Sequence, residues 1–230
     1  MYFATFGKYP LRPGWRVLWL VCLVFFFCLR ARAQETATVT FTFDFPDSEP
    51  SHYSISISSD SHATYSSDGK LSPQSEGDPF RLDFTISQST RAHIFDLTKR
   101  ARYFEGNIDS GKKGLASTGS KTLTYKDSRR STQATYNYSP LPAVQELTSL
   151  FQNLSTTMEF GRRLEYYHRY QKLALDEELK RMEEMWKQNS LEEVAAVAPI
   201  LQRIATDPSV INVVRARAQR LLEGAGARTH

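Results

Sequence analysis

A change of period near Pro140 constrains this chain more than any other feature. Upstream of it apolar residues recur at every second position, and downstream at every third or fourth, which places an internal boundary at residues 139–143. In the upstream part Val39, Phe41, Phe43 and Phe45 alternate with Thr38, Thr40, Thr42 and Asp44. Tyr53, Ile55 and Ile57 alternate with Ser54, Ser56 and Ser58, and Phe80, Leu82, Phe84 and Ile86 with Arg81, Asp83, Thr85 and Ser87. Such alternation predicts half-buried antiparallel strands. Ser59-Asp60-Ser61-His62 reads as a hairpin turn before Ala63-Thr64-Tyr65, and Asp68-Gly69 as another turn. Residues 121–127 and 132–138 form a last pair around Ser128-Arg129-Arg130. One helix interrupts the sheet, with Ser89 as its cap and Ile94, Leu97, Ala101 and Phe104 on one face.

Downstream, residues 142–188 read as a long helical run with acid-to-base pairs at i,i+4: Glu159/Arg163, Glu165/Arg169, Asp176/Lys180, Glu177/Arg181 and Glu183/Lys187. Left straight, those 47 residues would extend about 70 Å, so Gly161 is the expected bend. Ser190 with Glu193 predicts a capping box for a further helix. Asp207-Pro208 predicts the start of the last one, and Gly224 its end. The helix pair joined at Thr206-Asp207-Pro208 has the form of one HEAT-type repeat unit, and a single unit has to pack on something else. The fold class expected is α+β, an antiparallel sheet with one crossing helix followed by an all-helical region with a long helix and a helical hairpin. Residues 34–140 would form the β-rich part and residues 141–230 the helical part, packed on the sheet as one unit.

Residues 1–33 carry Lys8, Arg12, Arg16, Arg30 and Arg32, no acid, and an apolar run over residues 17–29 followed by Ala31-Arg32-Ala33. That order predicts a secretory signal peptide cleaved before Gln34. Thirteen apolar residues are fewer than the roughly 20 a spanning helix needs, so a membrane contact is expected only through an uncleaved leader. Beyond the leader 24 bases face 25 acids, which gives no bulk basicity for a nucleic-acid partner. Both cysteines, Cys22 and Cys28, lie in the leader, so the chain after cleavage has no disulfide, thiolate nucleophile or Cys-ligated metal.

Several near-motifs fail on context. The stretch from Gly114 to Thr122 comes within one residue of a phosphate-binding loop, but Ser120 separates Gly119 from Lys121 and the sequence continues as a strand. Glu165-Tyr166-Tyr167-His168 is a single Glu-x-x-His, where a di-iron bundle uses two with two further glutamates, and Arg169 is in reach of Glu165. No two of His52, His62, His93, His168 and His230 stand at metal-ligand spacing on one element. His52 and His62 could meet across the hairpin beside Asp60, although turn solvation accounts for all three. No serine occupies a Gly-x-Ser-x-Gly elbow. No catalytic residue, metal or cofactor is therefore assigned.

What remains is the densest aromatic and cationic cluster of the chain, Arg162, Arg163, Tyr166, Tyr167, Arg169 and Tyr170. Tyr and Arg are enriched at protein interfaces, so these six are the candidate binding residues, for a protein partner or for self-association. The strings from Ser89 to Leu97, from Lys121 to Tyr125 and from Phe160 to Asp176 resemble a family of uncharacterised exported bacterial proteins. That resemblance implies export and a shared fold, with no activity attached. The expectation is a non-enzymatic periplasmic, cell-envelope or extracellular protein; the alternative is a hydrolase or glycan-active enzyme with its site on the sheet.

Overall fold

The computed structural model describes residues 36–71 and 77–228. The expected leader cleavage falls outside them. Six strands, β1 (Thr38–Asp44), β2 (His52–Ser58), β3 (His62–Ser67), β4 (Phe80–Thr85), β5 (Ser120–Lys126) and β6 (Ser131–Tyr136), form one antiparallel sheet in the order β4-β3-β2-β1-β5-β6. Alternation decides which face is covered. Val39, Phe41, Ile55, Ile57, Tyr65 and Leu123 are fully buried on one side. The opposite side carries hydroxyl residues that bond across strands: Thr40 Oγ1 lies 2.8 Å from Ser56 Oγ, and Thr122 Oγ1 lies 2.9 Å from Thr135 Oγ1.

Among the described residues five α-helices follow from the downstream period and the one interruption: α1 (Gln88–Arg100), α2 (Pro142–Tyr170), α3 (Leu175–Lys187), α4 (Ala198–Thr206) and α5 (Asn212–Arg228). The fold class is the one expected, a six-stranded antiparallel sheet with α1 interrupting it, then a helical region holding a long helix and a hairpin. Helix α2 lays Val144, Leu147, Phe151, Leu154 and Met158 on the sheet, where the Phe151 ring stacks on Phe41 at 5.1 Å. One continuous apolar cluster joins these residues to Leu179, Leu201, Val214 and Leu221 of the later helices.

Local details depart from the sequence reading for identifiable reasons. The cap of α1 is Ser87, whose hydroxyl accepts from the Thr90 N–H at 3.2 Å, two residues before the expected Ser89. Helix α2 runs without interruption through Gly161, which is buried in its interior. A Cβ at Gly161 would stand 2.5 Å from Val197 Cγ1, so this glycine admits a neighbouring segment and the chain turns at Gln171 instead. Glu193 forms no capping box: at φ 52° its carboxylate reaches back to accept from the Ser87 N–H at 3.1 Å and the Ser87 hydroxyl at 2.7 Å. Asp207 ends α4 and holds the Ser209 N–H, and α5 starts only at Asn212 and continues past Gly224. Of the five expected i,i+4 pairs, among the described residues only Glu183–Lys187 approaches, at 3.7 Å. Asp176, Arg163 and Glu165 instead reach partners on other helices, Arg217 at 3.5 Å, Glu178 at 2.7 Å and Arg203, while Arg181 turns to Glu178 on its own helix.

Between α1 and the loop to β5, Arg102, Tyr103 and Phe104 form a single left-handed turn with φ of 53°, 55° and 63°. Without glycine, each such residue costs on the order of 1 kcal/mol. The turn is held by Phe104 in the core and by the Thr132 hydroxyl, which donates to the Tyr103 carbonyl at 2.5 Å.

Candidate functional site

Along α2, from Gln152 to Tyr167, runs a groove of about 650 Å³. Helix α3 forms one wall with Glu178, Arg181 and Met185; the β1–β2 loop and the chain after β3 form the other with Pro50 and Lys70. Phe43 and Tyr53 line it from the sheet. The volume is in the range of small-ligand and peptide-anchor pockets.

Three carboxylates line the groove: exposed Glu49, which accepts from the Lys70 N–H, and the two buried ones, Glu159 and Glu178, both of which are committed. Glu159 Oε1 accepts from the Tyr65 hydroxyl at 2.8 Å and the Ser67 hydroxyl at 2.6 Å, while Arg162 Nη1 stands 3.8 Å from its other oxygen. Burial, with the Glu159 charge added to it, pushes the Tyr65 hydroxyl far above its ordinary value, so it remains a donor. Tyr53 beside it is raised by burial as well. Glu178 accepts from Arg163 Nε at 2.7 Å and from Arg181 Nη2 at 3.0 and 3.1 Å, and both guanidinium groups lie against the Phe160 ring, at 5.0 and 5.1 Å. Two cations thus share one anion at this wall. Among the described residues a single nitrogen of each arginine is hydrogen-bonded, Arg163 Nε and Arg181 Nη2, and a guanidinium carries further N–H donors.

The structure divides the six sequence candidates. Arg162 is buried and points away from solvent, its Nη2 donating to the Asp78 carbonyl at 2.7 Å and its plane over Phe80. Arg163 and Tyr167 line the groove. Tyr166, Arg169 and Tyr170 form a separate surface at the end of α2, where Tyr170 packs 5.2 Å from Tyr166 and lies under Arg169. Tyr170 is 62% exposed and nearby Leu173 94%. This end is pinned by Asp207, which takes His168 Nε2 at 2.9 Å and Lys172 Nζ at 2.8 Å; hydrogen bonds from Lys172 first, then from the Ser209 hydroxyl and N–H, hold its carboxyl well below the usual range. Glu165 of the Glu-x-x-His pairs with Arg203 and not with Arg169.

Sequence reasoning missed Glu159, Phe160, Glu178 and Arg181. For Glu159 the available signal was phase: it adjoins Met158 and lies one turn from Ser155, on the edge of the buried stripe. The histidines stay apart, His52 on Asp44 at 2.6 Å, His62 near Asp83 at 4.0 Å and His93 on Glu146 at 2.9 Å. His52 and His62 do not meet, because antiparallel pairing puts His52 beside Asp44, at the end of β2 away from the hairpin. Lys121 of the glycine-rich stretch is buried in β5, its ammonium held by the carbonyls of Thr118, Gly119 and Asn137 and lowered in pKa by burial. Among the described residues no three His, Cys, Asp or Glu could hold a metal ion, and no helix is long and apolar enough to cross a membrane. No protein-family model matches the sequence and no curated protein aligns with it.

Proposed function

We propose that this is an exported, non-catalytic binding protein of the cell envelope or its surroundings, which takes hold of a protein partner through the groove and the adjoining end of α2. The observation that carries the reading is the commitment of both buried groove carboxylates. An acid or base catalyst has to exchange a proton with substrate, whereas Glu159 is occupied by two hydroxyls and Glu178 by two arginines. Arg163 and Arg181, as guanidinium donors, suit an acidic side chain or chain terminus of the partner. Tyr166, Tyr170 and Leu173 add apolar contact area beside it.

The test is affinity capture from an envelope extract with wild-type protein, Arg181→Gln and Tyr170→Ala. All three are expected to melt cooperatively, and both variants to lose the captured partner. Capture unchanged in both variants would overturn the reading. A second reading, a glycan-active hydrolase, is favoured by the presence of three carboxylates, Glu49, Glu159 and Glu178, in one concavity. It predicts turnover of an oligosaccharide panel that Glu178→Gln abolishes.

A further inference from the structure

We propose that the end of the sheet where β1 begins is a docking surface for anionic phospholipid, a contact separate from the groove and additional to any the leader makes. Three chain segments converge there. Helix α1 ends with Lys99 and Arg100, the left-handed turn presents Arg102, and the β5–β6 hairpin brings Lys126, Arg129 and Arg130. All six cations are exposed. The segments are fastened to one another through Tyr103, whose ring lies 4.8 Å from Tyr125 and 4.2 Å beneath the Arg130 guanidinium, and whose carbonyl is held by Thr132. The acids among these segments are Asp96, Glu105 and Asp127. Asp127 is occupied by the Tyr125 hydroxyl at 2.7 Å and the Arg129 and Arg130 N–H groups, each at 2.7 Å, and Asp96 stands 3.9 Å from Arg100. Asp60 and Asp83, at the same end of the sheet, lie on the β2–β4 side, across β1 from the hairpin. Six cations against three acids make a local excess in a chain whose residues 34–230 are nearly balanced, so the charge is concentrated and not general.

Chain connectivity chooses the occupant. Thr38 pairs with Lys126, so the described chain begins inside this patch. The apolar run of residues 17–29 stands six residues upstream of Thr36, a length that reaches at most about 20 Å when extended. Before the leader is cleaved, a bilayer that takes up that run has this end of the sheet as the nearest part of the folded chain in sequence. A surface of phosphate diesters then offers the complementary charge, and partly exposed Tyr103 suits the interfacial zone.

The experiment is vesicle co-sedimentation of the chain from Gln34 onward, which contains the compact unit of residues 36–230, so that the leader contributes nothing. The vesicles are phosphatidylcholine alone, or with about a third phosphatidylglycerol, at low and high salt. Binding is expected only with phosphatidylglycerol and only at low salt. Lys99→Gln with Arg129→Gln, two side chains outside the Tyr103 stack, should weaken it on the order of 10- to 30-fold. Lys112→Gln with Lys113→Gln removes the same charge from a loop tied through Ser110 and Thr118 to Tyr138 and Asn137 at the opposite end of the sheet, and should bind as wild type. Equal loss in both double variants would reduce the effect to net charge and overturn the proposal. So would absence of binding, or tighter binding to a DNA duplex with the same dependence on Lys99 and Arg129.

Discussion

The first two-thirds of α2 and its last third belong to one unbroken helix and handle polar groups in opposite ways. Up to Arg162 the helix buries one face on the sheet, and its buried charged side chains are met by residues far away in sequence, Glu159 by Tyr65 and Ser67 of β3 and Arg162 by Asp78. Past Arg162 the charges pair on α3, α4 and the α4–α5 loop while the tyrosines face outward. Gly161 marks the change, as the place where Val197 presses onto the helix. The contrast separates side chains that hold the fold from side chains that are free to be used, and the composition changes with it: residues 142–161 hold no Arg or Tyr, residues 162–170 three of each.

The largest effect tests the buried part. Glu159→Ala takes the carboxylate acceptor from two buried hydroxyls, leaving Tyr65 only Ser155, and removes the counter-charge of buried Arg162, and should lower stability by about 3–5 kcal/mol. In a domain of this size that is a fall in Tm of roughly ten degrees, readable by calorimetry. A small shift would mean that the network is not what holds α2 to the sheet. Gly161→Ala comes next, at about 1–3 kcal/mol, because the new methyl meets Val197. Val197→Ala in the same chain should restore part of the loss, and a double-mutant cycle showing no coupling would remove Gly161 as the dividing point.

In the projecting third the expected effects are smaller. Asp207 has a depressed pKa in the folded protein, so its contribution is complete above the ordinary carboxylate range and is lost as pH falls through the folded value. Hydrogen exchange around residues 171–174 and 207–211 should therefore be insensitive to pH near neutrality, beyond intrinsic exchange rates, and rise in strong acid. Asp207→Asn should be looser at neutral pH and converge with wild type in acid; a gap that persisted into strong acid would mean that charge is not the link. Smallest of all, Tyr170→Ala should change stability by less than about 0.5 kcal/mol, since the ring is 62% exposed. A larger loss would move Tyr170 from the usable surface to the structural part of the helix.

All six strands were legible because alternation is a local signal: Val39, Phe41 and Phe43, or Ile55 and Ile57, state their face by position alone. Sheet order was not, because nothing in residues 38–44 says that β5 will lie on their other side. The same division runs through the site. The Tyr/Arg cluster could be seen in the sequence, but Glu159 and Arg163 read as an exposed i,i+4 pair. Each is instead drawn to a partner that sequence proximity does not reveal, Tyr65 and Glu178. Gly161 was misread for a related reason: a glycine that bends a helix and one that admits Val197 look alike until the second segment is placed.

The position of β1 has a consequence for the order of events as the chain is made. On one flank it pairs with β2 across 8 to 20 residues, from Asp44 with His52 to Thr38 with Ser58; on the other it pairs with β5 across 76 to 88, from Asp44 with Ser120 to Thr38 with Lys126. The β1–β2–β3 meander can close early, while the second flank waits for a loop many times longer and the slower search that accompanies it. During that interval Val39, Phe41 and Phe43 sit on an edge, in the kind of strand that other chains can extend. A nascent chain halted before residue 120 would thus carry its most apolar strand paired on one side only, and the arrival of β5 is the step that moves β1 from the edge to the interior of the sheet.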